Sequence, residues 1–202
     1  MNKQIIFDFD GTLVDTFDVI KNIAINEYGE YDIDFELFKH KGAKGLLKKA
    51  NIPRWKLPGM ILNVTSKLRK SENIKLFPGI VDLLYSLKSN YKIGIVSSNS
   101  KDIIIDTLKK DNIENLFEFV YSESSLFGKH LVLKKMCKKH NINPLDVIYV
   151  GDEDRDIIAA KKAGIKNIAV TWGFNSKEKL SRENPDYLVD SPMQILEVLP
   201  QK

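Results

Sequence analysis

Six short apolar runs recur along the chain, and each has the length of a β-strand. Their nearly continuous apolar character is typical of parallel strands that are covered on both faces, rather than of half-exposed strands. The predicted strands are Gln4–Phe9, Lys92–Val96, Phe117–Tyr121, Val147–Val150, Ile168–Thr171 and Tyr187–Val189.

Stretches with helical spacing of apolar residues lie between most of these strands. Gly164 is expected to end one helix as its C-cap, and Asn143-Pro144 is expected to begin a short helix before the fourth strand. Alternation of strand and helix predicts a doubly wound α/β sheet. The predicted helices are Val81–Lys88, Asp102–Lys110, Leu131–Lys139 and Asp156–Ala163.

One long interval, residues 17 to about 75, contains no strand-like run and breaks the alternation. We expect it to form a small helical domain, residues 17–76, inserted into a core made of residues 1–16 and 77–202. Hinges are expected just after Asp15-Thr16 and near Phe77-Pro78-Gly79. The helical stretches predicted within it are Val19–Tyr28, Phe35–Phe38, Gly45–Ala50 and Ile61–Arg69.

Composition narrows the class of protein. A length of 202 residues suits one core domain with a smaller insertion, and 43% hydrophobic with 29% charged residues is typical of a globular protein. The net charge is +4, but the 31 basic residues are interspersed with 27 acidic ones. Since no basic block stands apart from acidic residues, we expect no nucleic-acid partner. The basic net charge leaves a phosphatase that acts on nucleic acid as an alternative.

Cysteine usage and the N-terminus bear on location. Cys137 is the only cysteine, which excludes an internal disulfide and fits a reducing compartment; its helical position predicts a buried side chain. Residues 1–4 run directly into an apolar stretch that holds two aspartates, which is unlike a signal peptide. No stretch approaches the roughly 20 apolar residues that span a bilayer. We therefore expect a cytoplasmic protein without a membrane partner.

The first strand ends in a pair of carboxylates. Ligands of an α/β sheet bind beyond the carboxyl ends of its strands, and strand alternation turns Asp8 and Asp10 toward one space. Two carboxylates at such a short distance repel each other unless one is protonated or a cation lies between them. Gly11 allows a sharp turn and Thr12 adds a hydroxyl, although an ordinary polar loop is the simpler alternative.

Two later segments are candidates for binding an anion. Ser97-Ser98-Asn99 follows the second strand, and its hydroxyl and backbone N–H groups would suit a phosphate, but capping of the next helix explains them equally well. Lys129 follows Gly128 at the start of a helix and would supply a compact positive charge. By itself, Lys129 is also explained as a surface lysine.

The fourth strand leads into an acidic cluster, Gly151-Asp152-Glu153-Asp154-Arg155-Asp156. Carboxylate oxygens are the ligands that Mg²⁺ prefers. The helix macrodipole accounts for Asp154 or Asp156 alone, but it does not account for Asp152 directly after the strand.

Carboxylate pair, hydroxyl, lysine and acidic cluster therefore follow one another along the chain. This order resembles the four signature motifs of the haloacid dehalogenase (HAD) superfamily, with a DxDGT motif at residues 8–12 and a GDxxxD motif at residues 151–156. The resemblance covers residues 1–16 and 77–190. It implies a Rossmann-like parallel sheet as the core.

Further similarity narrows the branch. Residues 8–16 read DFDGTLVDT, residues 151–165 read GDEDRDIIAAKKAGI, and Thr171-Trp172-Gly173-Phe174 follows. These segments resemble phosphoglycolate-phosphatase-like members of the superfamily. The helical insertion then resembles the C1-type cap domain, which closes over the active site of that branch.

The resemblance implies a phosphatase that acts on a small-molecule phosphate ester, with a monomer and a dimer both left open. Asp8 would attack phosphorus to form an aspartyl-phosphate, and Asp10 would act as general acid and base. Mg²⁺ would be held by Asp8, the Asp10 carbonyl and Asp152, and Asp156 would orient its neighbours. The residues implied to bind the phosphoryl group are Ser97, Ser98, Lys129, Thr12 and Gly11.

Substrate choice is expected to lie in the cap. The segment 40–45 resembles the cap loop that points at the active site, and Lys41 or Lys44 would meet an anionic leaving group. A solvated turn between helices is the alternative for this segment.

Other activities need other residues. A dehalogenase of this superfamily has an aromatic residue in place of Asp10, and phosphonate hydrolysis uses a small one. A β-phosphoglucomutase-like phosphotransferase needs a histidine shortly after the first motif, and residues 16–22 contain none. A catalytically idle binding module with the same fold is a further alternative, although no motif residue is missing.

Overall fold

A computed structural model describes residues 3–37, 39–40, 52–53, 55–69, 71, 74–123 and 128–200. Its centre is a six-stranded parallel sheet with the order β3-β2-β1-β4-β5-β6. The strands are β1 Gln4–Phe7, β2 Lys92–Ser97, β3 Phe117–Ser122, β4 Val147–Gly151, β5 Lys166–Val170 and β6 Tyr187–Val189. The predicted doubly wound α/β fold is therefore confirmed.

The strand boundaries differ from the prediction mainly at β1, which ends at Phe7 rather than Phe9. The amide of Asp8 still donates to the Val150 carbonyl (2.8 Å), but the chain then turns, with Gly11 at a φ of +76°. Apolar character continues through Phe9, which is fully buried, so hydrophobicity alone does not mark where strand pairing stops.

Eight α-helices lie within the described residues, in addition to a helical stretch at residues 35–37 and 39–40. Those in the core begin one or two residues before their predicted starts, and Gly164 is the left-handed C-cap that was expected. Asn143 caps its short 3₁₀ helix by accepting from the Leu145 amide at 3.1 Å. The helices are α1 Phe17–Tyr28, α2 Leu57–Arg69, α3 Ile80–Lys88, α4 Lys101–Lys110, α5 Lys129–Lys139, α6 Asp154–Ala163, α7 Lys177–Arg182 and α8 Gln194–Val198.

Helices α7 and α8 were not predicted. Each has only one fully buried side chain, Leu180 in α7 and Ile195 in α8, so an apolar period of 3.6 cannot develop along them. Helix α7 is instead marked by its N-cap Ser176, whose hydroxyl accepts from the Lys179 amide.

Side chains on the two faces of the sheet form two apolar layers. Ile5 and Phe7 point to the layer of α3, α4 and α8, and Ile6 points to the layer of α5 and α6. Cys137 lies buried in the second layer, as predicted. Within the described part of the chain, no helix combines the length and the apolar character that crossing a membrane requires.

The predicted helical insertion contains α1, α2 and a helical stretch at residues 35–37 and 39–40. Helices α1 and α2 contact each other through Asn63, which donates to the Tyr28 hydroxyl at 2.9 Å, and through an ion pair between Lys67 and Glu27 at 2.5 Å. The helix predicted at 45–50 lies outside the described residues. Whether the insertion is a separate domain stays a prediction.

The chain segments that lead into and out of this insertion run side by side. Val14 and Leu76 form an antiparallel bridge, the Asp15 amide donates to the Lys75 carbonyl (2.8 Å), and the Phe77 amide donates to the Leu13 carbonyl (3.0 Å). The insertion therefore begins and ends at one place, directly beside the loop that follows β1.

Candidate active site

The carboxyl ends of β1 and β4 bring three acidic side chains to one edge of the sheet: Asp8, Asp152 and Asp156. These strands pair directly, with Phe7 opposite Val150, so Asp8 and Asp152 come from adjacent strand ends. Asp8 is 5% exposed, and Asp152 and Asp156 are fully or nearly fully buried. The sequence-predicted carboxylates of the first and fourth motifs are therefore neighbours.

Asp8 is held in place by two hydrogen bonds. Its Oδ1 accepts from the Phe9 amide at 2.8 Å, and its Oδ2 accepts from Lys129 Nζ at 2.6 Å. Burial raises the pKa of Asp8, while the charge of Lys129 opposes that rise. Hydrogen bonds within the protein therefore fix the orientation of the Asp8 carboxylate.

Lys129 opens helix α5 and connects both acidic motifs. Its Nζ lies 2.6 Å from Asp8 Oδ2 and 2.5 Å from Asp156 Oδ1, and its side chain is 12% exposed. Burial by itself would lower the pKa of Lys129, but Asp156 and Asp8 raise it well above its ordinary value. The ammonium group is therefore charged, and the interpretation as a surface lysine is wrong.

Asp10 contacts the segment that follows β2. Its two carboxylate oxygens lie 3.3 and 3.1 Å from the Nδ2 of Asn99. Burial, with repulsion from Asp8, raises the pKa of Asp10 to about 6, which the bond from Asn99 partly counteracts. Asp10 therefore differs from Asp8 in its partner: a neutral amide rather than an ammonium group.

Asp152 receives hydrogen bonds from two separate loops. Thr12 Oγ1 donates to its Oδ1 at 2.8 Å, and the Phe174 amide donates to its Oδ2 at 2.7 Å. Burial, with repulsion from Asp156, raises the pKa of Asp152 well above its usual range, and the bond from Phe174 opposes this. A buried carboxylate in this position favours either a proton or a nearby cation.

Two glycines allow these loops to approach. A Cβ on Gly11 would lie 2.2 Å from Asp152 Oδ2, and a Cβ on Gly173 would lie 2.3 Å from the same atom. Gly11 also adopts a φ of +76°, which side chains rarely tolerate. Glycine at both positions is a condition for burying Asp152 between the loops.

Oxygen atoms of Asp8, Asp152 and Asp156 all lie within 4.8 Å of one another. All three side chains are buried, and mutual repulsion disfavours their simultaneous ionisation unless a positive charge compensates it. The cluster fits a divalent metal ion, because it offers only oxygen donors and its charge exceeds that of Lys129 alone.

Asp156 is fixed from its own helix as well. Its Oδ2 accepts from the Glu153 amide at 3.1 Å, which forms one half of a capping box at the start of α6. A Cβ on Gly151 would lie 2.6 Å from Asp156, so glycine at the end of β4 is needed for this packing.

Ser97 and Ser98 stand at the end of β2. Ser97 is 2% exposed and its hydroxyl accepts from the Asn99 amide at 3.1 Å, whereas Ser98 is exposed. Both line a cavity of about 380 Å³ together with Lys129. The structure thus brings the predicted hydroxyl and lysine together. The capping interpretation is wrong for these residues, because the N-cap of α4 is Ser100, without a side-chain cap hydrogen bond, and the Ser97 hydroxyl bonds within the turn before the helix.

Gly11 and Thr12 have partners within the protein. The Gly11 amide donates to the Val14 carbonyl at 2.9 Å, and the Thr12 hydroxyl is the donor to Asp152. Both residues therefore shape the site around Asp152. A direct contact of either with a phosphoryl group stays a prediction.

Sequence reasoning assigned no individual role to three residues that contact the site, although Asn99 stood in the candidate segment Ser97-Ser98-Asn99. Asn99 holds Asp10, the Phe174 amide holds Asp152, and the Trp172 indole donates to the Thr12 carbonyl at 3.0 Å. The available signal was the position of these residues after β2 and β5, at the same carboxyl edge as Asp8. Lys41 and Lys44, the predicted cap contacts, lie outside the described residues.

Comparisons with known proteins agree with this geometry. The family model for haloacid dehalogenase-like hydrolases matches residues 5–170. A phosphoglycolate phosphatase from Synechococcus elongatus is 33% identical, with 98% of each chain covered. The pyrophosphatase PpaX from Oceanobacillus iheyensis is 27% identical and covers 98% of this chain and 96% of its own. A haloacid dehalogenase-like hydrolase from Streptococcus pneumoniae superposes with a TM-score of 0.83 at 26% identity, with 97% of each chain covered.

The chain belongs to the haloacid dehalogenase-like hydrolase family, as the sequence motifs indicated. Within that family it is a phosphatase. The resemblance to the phosphoglycolate-phosphatase-like branch is likewise confirmed.

Proposed function

We propose that this phosphatase is Mg²⁺-dependent and hydrolyses a small phosphorylated metabolite, phosphoglycolate-like or a sugar phosphate, through an aspartyl-phosphate on Asp8. The observation that carries the proposal is the state of Asp8: buried, oriented by Lys129 at 2.6 Å, and surrounded by Asp152 and Asp156. The names of the relatives, phosphoglycolate phosphatase and pyrophosphatase, support phosphoryl transfer to water.

In the first step, a carboxylate oxygen of Asp8 forms a bond to phosphorus while the bond from phosphorus to the leaving oxygen breaks. Asp10 donates a proton to the leaving oxygen, and this proton leaves with the alcohol product. Asp10 suits this role because Asn99 positions it and because its pKa of about 6 keeps a proton accessible near neutral pH.

In the second step, water attacks phosphorus, Asp10 accepts a proton from that water, and the bond from phosphorus to the Asp8 oxygen breaks. Inorganic phosphate leaves and Asp8 is again a carboxylate. The same carboxyl group serves as acid and then as base, because the first step leaves it ionised.

The transferring phosphoryl group needs positive charge and hydrogen-bond donors around its oxygens. Lys129 is a charged ammonium group beside Asp8, and Ser97 and Ser98 line the same cavity as Lys129. Lys129 would bind one phosphoryl oxygen, and the serine hydroxyls with nearby amides would bind another.

Asp8 and Asp152, with the carbonyl of Asp10, would hold Mg²⁺, and Asp156 would keep Lys129 in place. Bound Mg²⁺ supplies charge that offsets the negative charge on the phosphoryl group and on the clustered carboxylates. The buried, oxygen-only cluster of Asp8, Asp152 and Asp156 supports this assignment.

Residues 17–76 would form the cap, with hinges where the paired segments at Val14 and Leu76 leave the core. Phe17 packs edge-on against Phe174 with ring centroids 5.6 Å apart, and the Ser176 amide donates to the Lys39 carbonyl at 3.2 Å. These two contacts join the insertion to the segment around Phe174, whose amide holds Asp152, and they support its assignment as a cap.

The experiment measures phosphate release from 2-phosphoglycolate, pyrophosphate and p-nitrophenyl phosphate, with and without Mg²⁺. Wild-type turnover should require Mg²⁺, and Asp8→Asn should lower kcat by at least about 10³-fold, because it removes the nucleophile. Asp106→Asn, on the exposed side of α4, is the matched control and should retain full activity.

Trapping separates the mechanism from simple hydrolysis. Acid quenching of wild-type enzyme during turnover should leave a phosphoryl group on the peptide that contains Asp8, seen by mass spectrometry. Turnover without that adduct in wild type, or full activity of Asp8→Asn, would show that the proposed intermediate is wrong.

A further inference from the structure

Asn175 is a buried polar side chain that lies after β5, and no step of the proposed reaction uses it. It is 3% exposed. Its Oδ1 accepts two hydrogen bonds, from the Asp154 amide at 2.9 Å and from Lys179 Nζ at 2.8 Å. Both donors are N–H groups that cannot accept a hydrogen bond, so the amide oxygen of Asn175 must face them. The orientation of the Asn175 side chain is therefore fixed by its two partners.

The bond from the Asp154 amide satisfies the start of helix α6. Asp154 is the first residue of α6, and the N–H of a first helical residue has no partner within its own helix. Asn175 supplies that partner from 21 residues further along the chain. The same first turn of α6 carries Asp156, a member of the acidic cluster. Asn175 therefore ties the helix start that positions Asp156 to the segment after β5.

The residue before Asn175 holds another carboxylate of the acidic cluster. The Phe174 amide donates to Asp152 Oδ2 at 2.7 Å. Neighbouring Cα atoms are about 3.8 Å apart, so a shift of Asn175 also moves the Phe174 amide. A hydrogen bond weakens steeply as its angle becomes unfavourable. Two consecutive residues, Phe174 and Asn175, thus connect Asp152 to the start of α6.

The insertion contacts the same short segment on both sides of Asn175. The Phe174 ring packs edge-on against Phe17 with centroids 5.6 Å apart, and the Ser176 amide donates to the Lys39 carbonyl at 3.2 Å. The side chain between these two contacts bonds to α6 in the core. Asn175 therefore fixes the segment relative to the acidic cluster while its neighbours contact the insertion.

Lys179, in α7, supports this connection. Its Nζ lies 3.0 Å from Asp154 Oδ2 as well as 2.8 Å from Asn175 Oδ1, and the Lys179 and Asp154 side chains are partly buried. Replacing Lys179 leaves the bond between the Asp154 amide and Asn175 in place. Removing the Asn175 amide group breaks the bonds to both partners, so the larger effect is expected at Asn175.

We propose that Asn175 is a positioning residue of the metal site: by joining the segment after β5 to the start of α6, it sets the positions of Asp152 and Asp156 relative to Asp8. The inference rests on the Mg²⁺-dependent function proposed above. It goes further by assigning metal affinity to a side chain that offers no ligand itself. Removing a group that orients metal ligands typically changes metal affinity by about 10- to 100-fold.

Asn167 provides a matched control within β5. It is also buried, at 1% exposed, and its amide group makes two side-chain bonds to one residue. Its Nδ2 donates to Asp186 Oδ2 at 2.6 Å, and its Oδ1 accepts from the Asp186 amide at 3.3 Å. Asn167 lies near the amino end of β5, whereas the acidic cluster lies beyond the carboxyl ends of β1 and β4. Replacing it removes comparable buried hydrogen bonds without touching the connection to Asp152.

The test measures binding of Mn²⁺ alone to the 202-residue chain by loss of the EPR signal of the free ion. Mn²⁺ takes the same kinds of oxygen ligand as Mg²⁺. Asn175→Ala should raise the Kd for Mn²⁺ about 10-fold, and the Mg²⁺ concentration for half-maximal hydrolysis of p-nitrophenyl phosphate by a similar factor. The KM for the ester at saturating Mg²⁺ should change less than about two-fold, because the contacts with the ester are kept.

Three further variants separate positioning from stability. Asn167→Ala should lower the melting temperature about as much as Asn175→Ala but keep the Kd for Mn²⁺ within about two-fold of wild type. Asn175→Asp keeps the oxygen acceptor and should restore the Kd to within about three-fold of wild type. Lys179→Met should raise the Kd by less than Asn175→Ala does.

The outcomes distinguish two kinds of failure. If wild type neither binds Mn²⁺ nor hydrolyses the ester with Mg²⁺, the proposed function and this inference fall together. If wild type does both, the positioning role alone is wrong when Asn175→Ala keeps the wild-type Kd. The positioning role is also wrong when Asn167→Ala weakens Mn²⁺ binding as much as Asn175→Ala, or when Asn175→Asp binds Mn²⁺ as weakly as Asn175→Ala at a wild-type melting temperature.

Discussion

Two lysine–carboxylate pairs of equal length show how differently the two regions of this molecule are built. Lys129 lies 2.5 Å from Asp156 at the edge of the sheet, and Lys67 lies 2.5 Å from Glu27 between helices α1 and α2. The first pair has side chains that are 12% and 2% exposed, and the second has side chains that are 45% and 32% exposed.

The difference in solvent access changes what each pair does. At the sheet edge, removing one partner leaves a buried charge without compensation, which is strongly unfavourable. Between the helices, water replaces either partner at little cost. The sheet edge is thus a rigid arrangement for chemistry, whereas the helical insertion can shift without disturbing buried charges.

The largest contrast is expected from the lysines themselves. Lys129→Met should lower kcat/KM by about 10²- to 10³-fold, because it removes a preorganised positive charge and leaves Asp8 and Asp156 unpaired. Lys67→Met should change kcat/KM by less than about two-fold. Steady-state kinetics with a short phosphate ester measures both, and similar losses in the two variants would contradict the comparison.

Glycines give the next contrast. Gly11→Ala places a Cβ 2.2 Å from Asp152 Oδ2 at a φ of +76°, so Asp152 must shift and kcat should fall by about 10²-fold. Gly59 in α2 has no atom within 4 Å of an added Cβ. Gly59→Ala should keep full activity and raise the melting temperature slightly, since alanine favours a helix. An active Gly11→Ala enzyme would show that the loop tolerates displacement.

The two tryptophans provide a smaller effect. Trp172→Phe keeps an aromatic ring near Phe77 but removes the N–H that holds the Thr12 carbonyl, and Thr12 in turn holds Asp152. We expect the Mg²⁺ concentration that gives half-maximal rate to rise about 5-fold, because one hydrogen bond is worth about 1 kcal/mol. Trp55→Phe, at a residue that is 77% exposed, should leave that concentration unchanged.

The pKa values of carboxylates in the two regions are shifted in opposite directions. Burial raises the pKa of Asp10 to about 6 and that of Glu153 to about 7, whereas hydrogen bonding to Lys67 lowers the pKa of Glu27. In metal-free protein the folded state therefore holds protons at the sheet edge that the unfolded state releases. Stability should fall as pH rises from about 4 to about 7.

Thermal unfolding in a chelator measures this effect. The melting temperature should drop by at least about 4 °C across that interval. Asp10→Asn should reduce the slope and Glu27→Gln should not. A melting temperature that rises steadily with pH over the same interval would contradict the assigned shifts.

Much of the candidate site was predictable because its carboxylates follow strands. A buried run such as Val147–Gly151 is evident from composition, and the carboxyl ends of parallel strands meet at one edge of the sheet. Asp8, Asp10, Ser97 and Asp152 were therefore found from local pattern and order. Lys129 was found only through the family resemblance, since position alone did not distinguish it from a surface lysine.

What sequence reasoning missed depends on contacts between distant segments. Asn99 contacts Asp10 from 89 residues away, and Trp172 contacts Thr12 from 160 residues away. No periodicity within either segment carries that information, because each contact depends on how the β2 and β5 loops pack over the β1 loop.

The sequence by itself determined the six strands, most of the core helices, their order and the residue types that stand at the strand ends. Those properties follow from short-range periodicity and from the chemistry of single side chains. Only the tertiary structure decided which charges are desolvated, which carboxylates pair with Lys129, and which amide contacts Asp10. Burial and contacts of this kind arise only when distant segments pack together. They give Asp8 and Asp10, two neighbouring acids in the sequence, different partners and different proposed roles.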